Sequence, residues 1–185
     1  MGNKATYSYD GNGNLTGISA PEGVTASITV DSKGLPVESS NAMGVKTQYD
    51  YNEYGNLIKT TLSALGLSSS AVYDAASRLT SATDALGRTS SFAYNNNDYL
   101  TSETDAMDHI TKYGYDANDN LTGITNAKGG VTTMSYDNAT DWLLSVEFAG
   151  SKKQYDYNKD GTLSTFTKPD GTTLNYTYDE LGRVT

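Results

Sequence analysis

The 185 residues contain one histidine, His109, and no cysteine. Disulfides, zinc–thiolate sites and thiol catalysis have no residues to use. A triad or metal cluster built on histidine has a single candidate. His109 closes the stretch Asp105-Ala106-Met107-Asp108-His109 and reads as a surface-loop residue. Asp105 and Asp108 could be imagined as the acid and base of a glycosidase. They sit in a turn-like stretch whose composition varies between copies, so solvated surface charge is the better reading. Asp10-Gly11-Asn12-Gly13-Asn14 and Asp116-Ala117-Asn118-Asp119-Asn120 space oxygen ligands somewhat as calcium loops do. A calcium loop also needs a late bidentate carboxylate, and neither stretch has a Glu at that distance, so both read as Asx turns. No catalytic residue, metal site or cofactor is expected.

The bulk numbers narrow the partners. The net charge of −9 disfavours nucleic acid and anionic membrane surfaces. No run of about 18 apolar residues exists, so no membrane insertion is expected. The start, Met1-Gly2-Asn3-Lys4, lacks an apolar signal core. It leads straight into a repeat, and Val184-Thr185 ends inside one, so the chain is expected to be a fragment of something longer.

The repeat is the dominant feature. The anchors are Tyr9, Val30, Tyr51, Tyr73, Tyr94, Tyr115, Tyr136, Tyr157 and Tyr178, spaced by 21 residues with one step of 22. The next position is always Asp or Asn, as in Asp10, Asp74, Asp116, Asp137 and Asp179. Two places before the anchor stand apolar or aromatic residues, among them Tyr49, Tyr113, Tyr155 and Tyr176. Six places after it come Leu15, Leu57, Leu79, Leu100, Leu121, Leu163 and Val184. Leu35 falls one place early, and Trp142 stands where repeat seven should have its Leu, with the expectation that it fills that slot with a larger ring. Fourteen places after the anchor come Gly23, Gly44, Gly87, Gly129, Gly150 and Gly171, with Gly66 one place late and Asp108 in place of Gly. Of the 15 tyrosines, only Tyr54 and Tyr99 lie outside the two aromatic columns. Tyrosine is therefore a structural choice repeated down an array.

These columns dictate local structure. Residues two apart on a strand share a face, so Tyr113 and Tyr115 point the same way with Gly114 between them. Asp, Asn and Gly after the anchor mark a turn, and a second strand such as Leu121–Thr125 follows. The Ala75-Ala76-Ser77-Arg78-Leu79 stretch has some helical character, but it sits in the turn column. Each repeat thus holds two strands of roughly six residues and two turns of roughly four. The expected fold is all-β: a curved antiparallel β-meander strip, part of a β-spiral or shell, with residues 1–185 forming about nine repeats, the last truncated. Eighteen strands at ~4.8 Å each would give a strip about 85 Å long. The Tyr and Leu columns are expected to pack as buried ladders, although aromatic ladders facing solvent could instead stack on carbohydrate.

The pattern Y-x-Y-D-x-x-G-x-L-T resembles the YD repeat of the Rhs family. It is carried by Tyr113-Gly114-Tyr115-Asp116-Ala117-Asn118-Asp119-Asn120-Leu121-Thr122 and by Tyr178-Asp179-Glu180-Leu181-Gly182-Arg183-Val184-Thr185. The family includes bacterial Rhs and WapA-like polymorphic toxins, the B and C components of insecticidal toxin complexes, and teneurins. The resemblance implies a non-catalytic section of a shell wall that encapsulates or presents a toxin domain, secreted or at a bacterial cell surface. Flanking repeats and an enclosed toxin domain would be its partners, and self-association through open sheet edges is a further expectation. A carbohydrate-binding or adhesive surface module is the alternative. The family's self-cleavage motif uses an Asp-Pro pair, and this chain has only the reversed Pro169-Asp170. Neither cleavage nor toxicity is assigned to it. A cargo of ~100 residues, about 34 Å across, needs a wall circumference of roughly 140 Å. The strip could form an arc of such a wall.

Overall fold

The computed structural model describes residues 4–20 and 25–185. Gly23 lies outside the described residues. The chain divides into two compact units, Met1–Ser91 and Phe92–Thr185. The first holds β1 (Thr6–Tyr9), β2 (Leu15–Ser19), β3 (Thr25–Val30), β4 (Pro36–Ser40), β5 (Lys46–Tyr51), β6 (Leu57–Leu62), β7 (Leu67–Tyr73), β8 (Leu79–Thr83) and the start of β9 (Thr89–Tyr94). The second holds the end of β9, β10 (Leu100–Thr104), β11 (Ile110–Tyr115), β12 (Leu121–Thr125), β13 (Val131–Tyr136), β14 (Leu143–Phe148), β15 (Ser151–Tyr157), β16 (Leu163–Thr167) and β17 (Thr173–Asn175). Among the described residues the 17 strands belong to one antiparallel sheet, each paired with its neighbours in the chain. The expected eighteenth strand is reduced to the single bridge Tyr178↔Val184.

The period-2 pattern places the side chains. In β5, Thr47, Tyr49 and Tyr51 are half-buried while Lys46, Gln48 and Asp50 are exposed. The same alternation runs through β3, β9, β11 and β13. The ladders are nevertheless not buried. Among the described residues no hydrophobic side chain is fully buried, and the one buried residue is Ser145. The physical reason is that each unit, taken by itself, is a single layer of sheet with no second layer of its own over either face. Neighbouring columns shield each ring from the sides only, and Tyr7 and Tyr9 on the edge strand β1 are 58% and 62% exposed.

The turns share one design. In the turn after the anchor, the Asp10 N–H donates to Asn14 O at 2.9 Å and the Gly13 N–H to Asp10 O at 3.1 Å, with Gly13 at φ 85°. This is a type I turn closed by a residue in the left-handed region, the common three-residue hairpin loop. The glycine-column turn uses the same bonds, as in Asp84–Arg88 and Asn126–Gly130. The left-handed position explains the residue choice there. Glycine tolerates it best, and Asp and Asn tolerate it better than other residues. Asp98, Asp108 and Asp119 occupy it at φ 68°, 62° and 67°. Ser77 occupies it at φ 62°, so the stretch with helical character is a turn.

Strand pairing adds a β-bulge that the columns imply but do not announce. Tyr9 pairs with Leu15 while Ser8 pairs with Gly17, so Thr16 is the extra residue. The same shift precedes Val30, Tyr51, Tyr73, Tyr115, Tyr136 and Tyr157. The bulge returns both Leu163 and Phe166, three residues apart, to the face of Tyr157 and Tyr155.

Repeat seven corrects the reading of Trp142. Tyr136 pairs with Leu143, so Leu143 holds the leucine column. Trp142 takes the preceding column with Leu35 and Tyr99. The turn after Tyr136 carries one extra residue, its closing bond running from Asp137 N to Trp142 O. The next turn is one residue short: Phe148 pairs with Ser151 across Ala149 and Gly150, both at positive φ. Insertion and deletion cancel, and the 21-residue step survives.

Candidate functional site

The arrangement with most chemistry is a seam between successive repeats. In the second unit the anchor hydroxyls reach back one repeat. Tyr115 Oη–H donates to Leu100 O at 2.9 Å, Tyr136 to Leu121 O at 3.0 Å, Tyr157 to Leu143 O at 2.9 Å and Tyr178 to Leu163 O at 2.9 Å. The bulge creates the need. Between β16 and β17 the ladder stops at Thr165↔Asn175, after which the Tyr176 N–H reaches Ser164 O at 2.9 Å. The Leu163 carbonyl beyond it has no strand partner on that side, and the phenol supplies the donor. A half-buried carbonyl is costly to leave unpaired.

Threonine after the leucine has a related use. On the bulge, Thr80 Oγ1–H donates to Val72 O at 3.2 Å and Thr101 Oγ1–H to Ala93 O at 3.1 Å. Rings add contacts along the seam, where Tyr99 lies 5.1 Å from Tyr115 and Trp142 5.2 Å from Tyr157; within one repeat, Tyr155 stacks on Phe166 at 5.3 Å. Turn side chains bridge repeats as well. Asn56 Nδ2 donates to Ser77 Oγ, Asn97 Nδ2 to Asp119 Oδ1, and both Asn118 and Asn120 Nδ2 to Asp141 Oδ1, each at 2.8 Å.

The acidic column is a capping device. Asp116 Oδ1 accepts the N–H groups of Asn118 and Asn120, both at 2.9 Å. Asp10, Asp74, Asp84, Asp105 and Asp179 do the same in their turns. Hydrogen bonds to the charged form hold these carboxyls below the usual range. The leading cause is the Asn14 side-chain amide for Asp10, the Arg88 guanidinium for Asp84 and the Arg183 backbone N–H for Asp179. On the other face of this chemistry, burial pushes the Tyr136 and Tyr157 phenols up, aided by the charge of Asp116 and by Tyr155 respectively.

The predicted positions fall as follows. Tyr9, Tyr51, Tyr73, Tyr94, Tyr115, Tyr136 and Tyr157 end strands, and Tyr178 makes the final bridge. Leu15, Leu57, Leu79, Leu100, Leu121 and Leu163 begin the following strands. Tyr49, Tyr113 and Tyr155 share their anchors' face, and Tyr176 follows β17. Asp10, Asp74, Asp116, Asp137 and Asp179 start turns, while Gly87, Gly129, Gly150 and Gly171 have positive φ. His109 Nδ1 lies 3.0 Å from Asp105 Oδ2 in an exposed turn. No group of three or more His, Asp or Glu with metal-holding geometry occurs among the described residues. Sequence reasoning missed the hydroxyl seam and the bulge. Both had signals: the anchor column has Tyr at every position but Val30, whereas the column two before it admits Phe92, Ile28, Ala71 and Met134.

An open sheet of short hairpins, locked repeat to repeat by anchor tyrosines and turn carboxylates, is a structural repeat array. A model of the teneurin YD-shell family matches residues 6–185, and the chain belongs to that family. No curated protein sequence matches significantly. Solved structures agree on the fold. The crystal structure of TcdB2-TccC3-TEV has a TM-score of 0.59 at 13% identity, over 97% of this chain and 14% of that one. TcdB2-TccC3 without its hypervariable C-terminal region gives 0.59 at 12%, over 98% and 15%. The Tc holotoxin pore of Photorhabdus luminescens gives 0.54 at 14%, over 97% and 13%. This chain therefore spans about one seventh of the length of the solved chains it resembles.

Proposed function

We propose that residues 1–185 are about nine units of a longer YD-repeat array and form part of a β-sheet shell wall that encapsulates or presents a toxin domain in a secreted protein. The role is structural and needs no catalytic residue. Flanking repeats and an enclosed domain are its partners. The observation that carries the reading is the seam: in the second unit Tyr115, Tyr136, Tyr157 and Tyr178, four successive anchors, each tie their repeat to a leucine carbonyl of the preceding one. The likeness to chains of toxin complexes over nearly the whole sequence supports it. Electron cryo-microscopy of the full-length polypeptide carrying this chain tests it. A hollow particle with this sheet in its wall is expected. A solid globule, or this chain standing free as an arm, would sink the reading.

A second reading, a carbohydrate-binding surface, is favoured by one observation: Tyr7, Tyr9 and Tyr54 are 58%, 62% and 67% exposed. Titration with glucose, galactose and N-acetylglucosamine under tyrosine fluorescence addresses it. A saturable change abolished by Tyr54→Ala would raise this reading above the first.

A further inference from the structure

Of the ring contacts described above, one joins two phenols. Tyr99 lies 5.1 Å from Tyr115, centroid to centroid, with the planes tilted by 37°. That is near the short end of the range for aromatic pairs, about 4.5–7 Å. Tyr99 also stands outside both tyrosine columns. It occupies the position before the leucine, which holds Asn14, Asn56, Arg78, Asn120, Trp142 and Thr162 in other repeats. The repeat therefore does not require a phenol there, and this copy has one against the next anchor.

Both residues are held at two points. The Tyr99 N–H donates to Asn95 Oδ1 at 3.0 Å, and Tyr99 O accepts from the Asn95 N–H at 2.9 Å. Tyr115 is fixed at its base by the strand, where it pairs with Leu121. At its far end the hydroxyl donates to Leu100 O at 2.9 Å. Leu100 follows Tyr99 directly, so this bond brings the phenol end of Tyr115, with the ring carbons ortho to its oxygen, beside the Tyr99 ring. Tyr99 is 39% exposed and Tyr115 is half-buried. An oxidant in solution reaches the first ring, and the second is its neighbour.

These positions suit oxidative coupling. One-electron oxidation of a phenol, with loss of its proton, leaves a radical whose unpaired electron is shared with the ortho ring carbons. Two such radicals join by a carbon–carbon bond, and the ortho hydrogens then move to the oxygens and restore both phenols. The pair loses two hydrogen atoms in all, and one hydrogen peroxide takes them up as two waters. We propose that Tyr99 and Tyr115 form an oxidative cross-linking site, at which a haem peroxidase with hydrogen peroxide joins repeat five to the anchor of repeat six by a bond between their Cε carbons. The rings need to approach by less than an ångström. A chain without cysteine has no disulfide to tie one repeat to the next, and this bond does so covalently. It closes a short loop around β10 and β11, which restricts the unfolded chain as a disulfide would. The site lies within the second unit and does not depend on the wall reading.

Treatment of residues 1–185 with peroxidase and peroxide, followed by digestion and mass spectrometry, tests it. The expected product is a peptide pair, lighter by two hydrogens, that joins Tyr99 to Tyr115. It should outweigh every other tyrosine pair about tenfold or more, because orientation and not exposure selects the partners. Exposure alone would favour Tyr7, Tyr9 and Tyr54, at 58%, 62% and 67%. The yield should not change with protein concentration, and the product should unfold at higher urea than the untreated chain. Tyr99→Phe keeps the ring and removes the phenol, so dityrosine fluorescence should fall to near background, whereas Tyr54→Phe should leave it unchanged. Cross-links centred on Tyr7, Tyr9 or Tyr54 would overturn the proposal, as would a yield that rises with concentration. So would undiminished dityrosine in a Tyr99→Phe chain that keeps the urea midpoint of its parent.

Discussion

Replacing Tyr157 by Phe removes one oxygen and little else. The ring keeps its place 5.2 Å from Trp142, and the strand keeps its pairing with Leu163. What is lost is the 2.9 Å bond to Leu143 O. A typical intramolecular hydrogen bond contributes about 0.5–1.5 kcal/mol net, and an orphaned carbonyl adds the cost of its desolvation. Both partners are half-buried, so water can reach the carbonyl in part, and the expected loss is ~0.5–1 kcal/mol. Tyr155→Phe is the internal control. Its ring stacks on Phe166 at 5.3 Å and its hydroxyl makes no hydrogen bond, so the expected change is below ~0.3 kcal/mol. The four seam tyrosines of the second unit are one repeat apart and share no partner, so their losses should nearly add. The quadruple Phe variant should lose about 2–4 kcal/mol. Urea unfolding followed by far-ultraviolet circular dichroism and by Trp142 fluorescence measures this. If Tyr157→Phe and Tyr155→Phe shift the midpoint equally, the seam is not the reason for tyrosine.

The turn carboxylates predict an acid limit. Their folded pKa values lie below the unfolded ones, so their stabilisation is fully present above about pH 4 and disappears as pH falls through the depressed folded values. The urea midpoint should be flat from about pH 7 to 5 and drop below about pH 4. Replacing Asp10, Asp74, Asp84, Asp105, Asp116, Asp137 and Asp179 with Asn, the residue already used at Asn52, Asn95 and Asn158, should flatten the drop, and an unchanged acid profile would contradict the capping account. Gly161→Ala should destabilise by ~1–2 kcal/mol, because φ is +87° and a Cβ there would meet Trp142 Cζ2 at 3.1 Å; a neutral result in urea unfolding would exclude strain at this turn. Ala149→Asn should stabilise by ~0.5–1 kcal/mol, since Ala149 (φ 51°) precedes Gly150 (φ 79°) in a two-residue hairpin that favours Asn-Gly; a lower melting temperature would refute it.

The strand order was legible because the 21-residue columns are local: a Tyr, an Asp and a Gly each act within a few residues of where they stand. The bulge was legible only in part, through Leu and the next apolar residue standing three apart at Leu15 and Ile18, Leu121 and Ile124, and Leu163 and Phe166. An ideal strand would set them two apart. Trp142 misled because residue counting from the anchor cannot see an insertion cancelled by a later deletion; only the pairing of Tyr136 with Leu143 separates the two. The extent of burial was not legible. Alternation says which face a side chain takes and says nothing about whether a second layer covers that face.

The half-buried ladder and the hydroxyl seam are two sides of one constraint. In a domain with a closed core, apolar burial dominates, and a Phe at the anchor position would serve as well as a Tyr. Here no described hydrophobic side chain is fully buried, so each ring gains only part of the ~25 cal/mol per Å² that full removal from water would give. Directional contacts then count for more. The Tyr hydroxyl, the Asp cap and the Asn–Asp bridges each tie a repeat to itself or its immediate neighbour, which makes stability nearly a sum of repeat and interface terms. That arrangement suits a wall. It can be extended by adding units without redesigning a core, and it tolerates a paired insertion and deletion in repeat seven without losing register. It also accepts local departures such as Val30 and Pro36, where an anchor and its leucine are both replaced yet β3 and β4 still pair.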